Sequence, residues 1–265
     1  MASSYTATDA AAYERLMGRW SIQLADQLIA FTGIGAGDRV LDVGCGTGSL
    51  ALALAARPEP AAITGIDVAA PYIVYASKRS ANPRLSFMVG DAVTMKFPAG
   101  SFDRCYSLLA LNFMSDPRRA LAGMVLATRQ GGSVAAAVWD FPGGLVYQRI
   151  FWDTAAALDP AASQARARQY SAPLLAKGAL EAALLVAGFS DVTGNTITMR
   201  MDYEDFADYW EPIAAATGPV GDYVRSTDPG LLADIRSKTC EAYLSGLPDG
   251  PRSMAASAWV ATGRR

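Results

Sequence analysis

Hydrophobic and polar residues alternate along the chain in segments that switch between a helix-like and a strand-like pattern. From Asp9 onward, apolar side chains recur every three or four residues, which predicts an amphipathic helix over residues 9–32. Short apolar runs predict seven strands, at residues 39–44, 61–68, 84–91, 102–111, 133–141, 191–201 and 254–263. Helical patterns separate the first five strands except the third and fourth, which are joined by a loop, and such alternation is typical of parallel strands joined by helices. The pattern therefore predicts an α/β fold, with a doubly wound, mostly parallel, seven-stranded sheet.

The alternation becomes less regular after residue 141, where aromatic residues and arginines interrupt it. We interpret two segments, residues about 142–172 and 203–250, as helical lid insertions above the sheet, with a loop at residues 217–229. No linker or repeat marks a second unit, so we expect a single domain over residues 1–265 with a ligand-binding core at residues 36–141. Further helices are predicted at residues 49–57, 70–80, 117–130 and 174–189.

Composition and charge narrow the classes of function. The chain is 51% hydrophobic and 18% charged, which is typical of a globular enzyme rather than a disordered protein. The net charge of −2 and the lack of any Lys or Arg run argue against nucleic acid as a partner. The N-terminal MASSYTATDA has no signal-peptide pattern, and the apolar stretches are too short for a membrane span. We therefore expect a cytoplasmic protein, as a monomer or homodimer.

The residue types available for chemistry are restricted as well. The chain has no histidine, which removes the commonest general base and the commonest metal ligand. Its three cysteines are Cys45, Cys105 and Cys240, and their wide spacing indicates neither a disulfide framework nor a zinc site. Cys45 has no obvious base beside it, so we interpret it as a small buried residue and not as a nucleophile. We expect no metal site.

A glycine-rich turn, VLDVGCGTG at residues 40–48, joins the first predicted strand to a helix and indicates a ligand held against bare backbone. A Walker-type phosphate loop requires a lysine after its last glycine, and none follows here. A dinucleotide-binding loop requires the spacing G-x-G-x-x-G, whereas Gly44, Gly46 and Gly48 follow the spacing G-x-G-x-G. The glycine spacing differs from the dinucleotide-binding pattern by one residue, so dinucleotide binding is kept as the minor alternative.

The same turn resembles the first motif of the class I S-adenosylmethionine-dependent methyltransferases. Two further features match that family: Asp67 ends the second predicted strand, 19 residues after Gly48, and Gly90-Asp91-Ala92 follows the third. The run of residues 97–132 resembles the small-molecule, quinone-biosynthesis-like branch, type 11. The resemblance covers roughly residues 36–141 and implies a Rossmann-like sheet with S-adenosylmethionine as cofactor and S-adenosylhomocysteine as product.

The resemblance also implies a role for each cofactor-binding candidate. Asp42 and the backbone of Gly44 and Gly46 would face the methionine part of the cofactor. Asp67, with Val68 beside it, would accept hydrogen bonds from the ribose hydroxyls.

The adenine end and the reactive centre are assigned in the same way. Asp91 and Ala92 would contact the adenine, and Ser107 and Leu108 would lie beside the sulfonium. An N-terminal helix closes over the cofactor in related enzymes, which makes Tyr13 and Arg19 candidates for the methionine carboxylate, since arginine suits bidentate carboxylate binding.

The implied reaction is transfer of a methyl group to a small-molecule acceptor by in-line displacement, in which alignment matters more than a base. No catalytic residue is identified, because the candidate bases Asp140, Asp153, Tyr147 and Tyr209 are not distinguished by the sequence. Trp139 and Phe141 are candidates for lining the acceptor cavity or for the core. Two alternatives stay open: a non-catalytic S-adenosylmethionine-binding protein and, less favoured, an NAD(P)-dependent oxidoreductase.

Overall fold

The computed structural model describes residues 9–265, and the first eight residues of the MASSYTATDA segment lie outside the described residues. Seven strands of the described chain form one sheet in the order β3-β2-β1-β4-β5-β7-β6. The strands are Arg39–Val43 (β1), Ala62–Asp67 (β2), Leu85–Val89 (β3), Phe102–Leu108 (β4), Thr128–Trp139 (β5), Ser190–Tyr203 (β6) and Arg252–Arg264 (β7). Each overlaps a predicted strand, so the seven-stranded α/β fold is confirmed.

Strand directions divide the sheet into a parallel part and a reversed last strand. β1 pairs in parallel with β2 and β4, β2 with β3, and β4 with β5. β7 runs antiparallel to both β5 and β6, between which it is inserted. The chain leaves β1 toward one edge and returns at β4 toward the other, and this reversal opens a crevice at the carboxyl ends of the two strands.

The helices cover both faces of the sheet. They are α1 (Ala10–Tyr13), a π-helical turn (Glu14–Gly18), α2 (Arg19–Thr32), α3 (Ser49–Ala55), α4 (Ala70–Ser77), a 3₁₀ turn (Leu111–Phe113), α5 (Pro117–Ala127), α6 (Val146–Leu158), α7 (Pro160–Tyr170), α8 (Ala179–Ala187), α9 (Phe206–Ala214), α10 (Gly218–Ser226) and α11 (Pro229–Leu244). Within residues 9–265, none of them is long and apolar enough to cross a membrane.

One predicted loop is wrong, because residues 218–226 form the helix α10. Its sequence contains two glycines and a proline, which give it a weak helix propensity. The helix is stabilised by tertiary packing instead, since Val220, Tyr223 and Val224 are buried. Sequence propensity alone did not reveal that apolar face.

Two predicted helix boundaries are also corrected. The helix predicted over residues 117–130 ends at Ala127, because the β-branched Thr128 is buried and pairs with Phe102 at the start of β5. The helix predicted over residues 174–189 begins only at Ala179, since Gly178 has a φ of +80°, which is not helical.

The two faces of the sheet carry separate hydrophobic clusters. On one face, α5 and α8 pack with side chains such as Leu121 and Leu184. On the other face, α2 and α3 share a single cluster with the lid helices, which contribute large aromatic residues including Trp152 and Tyr209. The lid helices therefore extend the core of this face and do not form a detached layer.

Candidate functional site

A cavity of about 290 Å³ lies at the carboxyl ends of the first four strands, where the strand order reverses. The glycine turn forms its floor, and the ends of β2 and β3 form one wall. Residues 108–110 and 113–115, after β4, form the opposite wall, and Tyr13 and Ser21 of the N-terminal helix contribute the roof. A volume near 300 Å³ is at the lower end of the range for small-molecule sites.

The glycine turn has a shape that requires glycine. Gly44 and Gly48 have φ values of +72° and +92°, which other residues adopt only with strain. A Cβ atom on Gly44 would lie 2.4 Å from the Cβ of Ala110, so the turn and the segment after β4 are in close contact. The Ile66 carbonyl accepts from the N–H groups of both Gly44 (2.8 Å) and Cys45 (3.0 Å) and fixes the turn against β2.

Asp42 is fully buried and lines the floor of the cavity. Neither oxygen of its carboxyl group has a hydrogen-bond partner among the described residues. Burial, together with the charge of the nearby Asp67, raises the pKa of Asp42 from 3.8 to about 8, and the backbone N–H of Ala51, which lies nearby without hydrogen-bond geometry, partly opposes this rise. A buried carboxylate without a partner is costly, so this position favours a ligand that brings a cation or hydrogen-bond donors.

Asp67 lies at the end of β2, and the glycine turn folds around its carboxylate. One oxygen accepts from the Gly46 N–H at 2.9 Å, and the other accepts from the Ala69 N–H at 2.8 Å. Burial raises the pKa of Asp67, and these two hydrogen bonds partly oppose that effect. Each oxygen retains a lone pair for a further donor, so the group is both a structural clamp and an available acceptor.

Charge is distributed asymmetrically around the cavity. Three carboxylates line it, from Asp42, Asp67 and Asp91, whereas no Lys, Arg or His lies among the described lining residues. Such a site repels a pyrophosphate and attracts a cation. Nor do the described residues contain a group of three or more side chains that could hold a metal ion.

The wall after β4 is largely apolar and includes a strained residue. Leu108, Leu109, Phe113 and Met114 present apolar side chains to the cavity. Leu109 has a φ of +60°, which is rare for a residue with a branched side chain, and its N–H donates to the Ala137 carbonyl at 2.8 Å. Strained backbone of this kind is found preferentially at functional sites.

The structure brings together eight of the ten predicted cofactor-binding residues. The residues that line the cavity are Asp42, Gly44, Gly46, Asp67, Val68, Asp91, Ala92 and Leu108. At Gly44 and Gly46 the N–H groups are already bonded within the protein, so these glycines offer bare backbone more than free donors. Ser107 does not line the cavity, because its buried hydroxyl points between β1 and β4 and donates to the Val43 carbonyl at 2.8 Å.

Arg19 also lies outside the cavity, which corrects the prediction that it reaches a ligand carboxylate. Its guanidinium forms an ion pair with Asp208 at 2.8 Å and lies over the ring of Trp20, 4.4 Å from the centroid. Residues two apart on a helix point about 200° apart. Since Ser21 faces the cavity, Arg19 faces α9 instead.

Several site residues were not predicted from the sequence. Thr47 and Ser49 flank the predicted glycines, Tyr72 lies on α4, and Phe113 belongs to the 3₁₀ turn after β4. The rule that ligands bind beyond the carboxyl ends of parallel strands would have indicated the residues after β4. No comparable pattern marks Tyr72.

The aromatic candidates for an acceptor pocket belong to the core. Trp139 and Phe141 are 3% exposed and do not line the cavity, although the Phe141 ring lies 6.0 Å from that of Phe113. Cys45 is buried as expected, and burial raises the pKa of its thiol well above the usual value. The thiol is therefore un-ionised and a poor nucleophile.

The four candidate bases also lie away from the cavity lining. Asp153 pairs with Arg149 and Arg166 at an exposed position. The Tyr209 hydroxyl donates to the Tyr147 carbonyl at 2.8 Å, and burial raises the pKa of Tyr209 well above 10. One carboxylate oxygen of Asp140 accepts from the Gly143 N–H at 3.0 Å. None of them is placed to take a proton from a molecule in this cavity.

Fold and site together define a doubly wound α/β protein with a small-ligand cavity at its switch point. Residues 40–132 match a family model described as a methyltransferase domain. The ubiquinone/menaquinone biosynthesis C-methyltransferase UbiE of Bdellovibrio bacteriovorus is 33% identical over 110 residues, which cover 41% of this chain and 47% of the relative. The malonyl-[acyl-carrier protein] O-methyltransferase of Xylella fastidiosa is 32% identical over 178 residues, which cover 64% of this chain and 56% of the relative.

Among solved structures, a phosphoethanolamine N-methyltransferase 2 of Haemonchus contortus has a TM-score of 0.60 at 18% identity, covering 96% of this chain and 56% of that one. That likeness shows the fold alone. The chain spans about half the length of the curated relatives named above. Residues 40–132 therefore match a methyltransferase domain, and the chain is similar to class I S-adenosylmethionine-dependent methyltransferases of the quinone-biosynthesis-like type.

Proposed function

We propose that this protein binds S-adenosylmethionine in the cavity and transfers its methyl group to a small-molecule acceptor. The observation that carries the proposal is the buried carboxyl group of Asp42, which has no hydrogen-bond partner within residues 9–265 and lies on the floor of a cavity whose described lining has three carboxylates and no basic side chain. A ligand with an ammonium and a sulfonium supplies the positive charges that such a site favours.

The lining residues fit the parts of this cofactor in order along the cavity. Asp42 would pair with the methionine ammonium, and the two oxygens of Asp67 would each accept from a ribose hydroxyl. Asp91 and Ala92, after β3, lie where the adenine edge would bind. The bare backbone of Gly44, which is already within contact of Ala110, admits a ligand that lies directly on the turn.

The proposed reaction requires little acid–base chemistry from the protein. The cofactor supplies a methyl group on a positively charged sulfur, which is already activated for displacement. Leu108, Leu109 and Phe113 would exclude water from that end and restrict the direction of attack. Alignment of this kind contributes up to roughly 7 to 11 kcal/mol in well-oriented reactions.

At that end, the described lining residues 108–110 and 113–115 carry no titratable side chain. This lining favours acceptors that need no strong base. We therefore propose acceptors whose attacking atom is ionised or readily deprotonated, such as carboxylates and acidic phenols. By their names, one of the relatives above is a C-methyltransferase of ubiquinone/menaquinone biosynthesis and the other an O-methyltransferase of malonyl-[acyl-carrier protein].

A thermal-shift comparison tests the cofactor assignment. S-adenosylhomocysteine should raise the melting temperature, because a ligand that binds only the folded state stabilises it, whereas NAD should not. The reversed β7 also distinguishes this sheet from the all-parallel dinucleotide-binding order. Stabilisation by NAD alone would contradict the proposal.

An acceptor screen with methyl-labelled cofactor tests the reaction. We expect turnover with at least one small carboxylate or phenol and none with DNA or RNA. Tight binding of S-adenosylhomocysteine without turnover of any acceptor would favour the alternative of a non-catalytic binding protein.

The cellular and quaternary assignments are part of the same proposal. We propose a cytoplasmic enzyme that is a monomer or homodimer, on the basis of its charge and its residue composition. Light scattering after size exclusion measures the assembly state directly. A tetramer or larger assembly would contradict this assignment.

A further inference from the structure

The N-terminal helix forms the roof of the cavity through a small number of side chains. Tyr13 and Ser21 line the cavity from this helix. The ring of Tyr13 lies 5.4 Å from that of Tyr72, on α4, which lines the same cavity. A ligand on the glycine turn would therefore lie beneath this helix, and its release would depend on how firmly the helix is held.

Glu14 fastens this helix to the glycine turn. Its Oε1 accepts from the Thr47 hydroxyl at 2.5 Å and forms an ion pair with the Arg79 guanidinium at 3.0 Å. The same nitrogen of Arg79 donates to the Thr47 carbonyl at 3.1 Å. Three elements are thus joined at one carboxylate: the N-terminal helix, the glycine turn and the segment after α4.

The position of this carboxylate depends on two local features. Residues 14–18 form a π-helical turn, an arrangement found frequently at functional sites. A Cβ on Gly18 would lie 2.4 to 2.5 Å from the Glu14 carboxylate atoms, so only glycine leaves room for them. The Glu14 side chain is 17% exposed, and Thr47 is buried, which shields the contacts from water.

We propose that Glu14 is a positioning residue whose contacts with Thr47 and Arg79 latch the N-terminal helix over the cavity and slow the release of the cofactor product. The proposal rests on the proposed function for the identity of the ligand. It assigns to Glu14 no contact with the ligand itself, because Glu14 acts through Thr47, which lines the cavity.

The same helix offers a control at a more exposed position. Asp26 of α2 forms an ion pair with Arg57, also at 3.0 Å, which fastens the helix to the end of α3 away from the cavity, and its side chain is 56% exposed against 17% for Glu14. Asp26→Asn and Glu14→Gln therefore remove one ion pair each from the same helix. A role in general helix docking predicts an effect of both substitutions, smaller for the exposed pair, whereas a latch predicts an effect on release from Glu14→Gln alone.

The test measures dissociation of S-adenosylhomocysteine by stopped-flow displacement. Glu14→Gln should accelerate dissociation about tenfold, because it removes the charge that pairs with Arg79 and strengthens the hydrogen bond from Thr47. Arg79→Gln should accelerate it as well, and the double variant should add less than the sum of the two, because both act on one network. Asp26→Asn should leave the rate within about twofold.

A second measurement does not need the ligand. Amide hydrogen exchange of residues 10–21 in the free protein should be faster in Glu14→Gln than in the wild type or Asp26→Asn. If the wild type fails to bind S-adenosylhomocysteine, the proposed function is wrong, and this exchange experiment still tests the latch. Equal exchange and equal dissociation in the Glu14 and Asp26 variants would overturn it.

Discussion

The cofactor end of the molecule, where the cavity lies, differs from the lid helices in the hydrogen bonding of its buried polar groups. Around the cavity, Asp42 is buried without a partner, and Leu109 adopts a strained backbone conformation. In the lid, Trp152 is fully buried, its indole N–H donates to Gln169 at 2.8 Å, and Gln169 in turn donates to Gln148 at 3.1 Å. The unpartnered carboxyl group lies on the floor of a cavity, whereas the polar groups around Trp152 satisfy one another, and the lid groups without a partner among the described residues are the neutral hydroxyls of Tyr170 and Thr239.

This difference indicates a division of labour. Unpartnered buried polar groups and backbone strain lower the free energy of unfolding, and proteins retain them where ligand binding offsets that loss. Packed aromatic side chains whose polar groups are hydrogen-bonded raise the free energy of unfolding. Such packing does not by itself indicate a binding or catalytic site. We therefore expect substitutions in the lid to change mainly the free energy of unfolding and substitutions at the cofactor end to change mainly ligand affinity.

The largest effect is expected in the lid, from Trp152→Ala. Loss of a fully buried tryptophan should lower the free energy of unfolding by about 3 to 5 kcal/mol, as measured by urea denaturation. The affinity of the folded protein for S-adenosylhomocysteine should stay within about twofold. Leu158→Ala, at a 41% exposed position of the same helix, is the control and should change stability by about 0.5 kcal/mol or less. A parallel loss of affinity would show that the two regions are coupled.

The two regions also differ in how well the sequence predicts them. The glycine turn, Asp67 and Asp91 were predicted because each lies at a strand end, where position along the chain determines position in space. Arg19 was assigned wrongly because its partner Asp208 is 189 residues away, and nothing in the sequence pairs them.

Lid structure was harder to predict because it depends on tertiary packing. Helix α10 contains glycine and proline, and its buried face becomes apparent only when neighbouring helices are in place. The contact between Glu14 and Thr47 also joins residues 33 apart without a recognisable motif. The positions of the strands along the chain and the mostly parallel character of the sheet were predicted from periodic patterns, which act locally.

The next largest effect is expected from Asp42→Asn at the cofactor end. Loss of the carboxylate should weaken S-adenosylhomocysteine binding about 10- to 100-fold in calorimetric titration, because a hydrogen-bonded charge pair is removed. The melting temperature of the free protein should rise, since a buried carboxyl group with an unfavourable charged form is replaced. Asp153→Asn, at an exposed ion pair of the lid, is the control for both measurements. Unchanged affinity in Asp42→Asn would refute the assigned ammonium contact.

Because the pKa of Asp42 is raised, both the stability of the free protein and its affinity for the ligand should depend on pH. Its folded-state pKa of about 8 exceeds the unfolded value of 3.8, so this group destabilises the free protein progressively as pH rises from about 4 to 8. Ligand binding needs the ionised form and must release a proton below pH 8. Affinity should therefore increase between pH 6 and 7.5, by at most about tenfold per pH unit, or about 1.4 kcal/mol. Titrations in which Asp42→Asn shows the same slope would assign the proton to another group.

The smallest effect is expected at the exposed end of the cavity, from Asp91→Ala. One Asp91 oxygen accepts from the Val93 N–H at 2.9 Å, and the proposed contact of the carboxylate is with the adenine amino group. A single exposed hydrogen bond contributes about 0.5 to 1.5 kcal/mol, so affinity for S-adenosylhomocysteine should fall about two- to tenfold. S-inosylhomocysteine, which lacks that amino group, distinguishes this contact from a general disturbance of the loop. Its affinity should be unchanged by the substitution, and an equal loss for both ligands would place the role of Asp91 in loop structure rather than in recognition of the base.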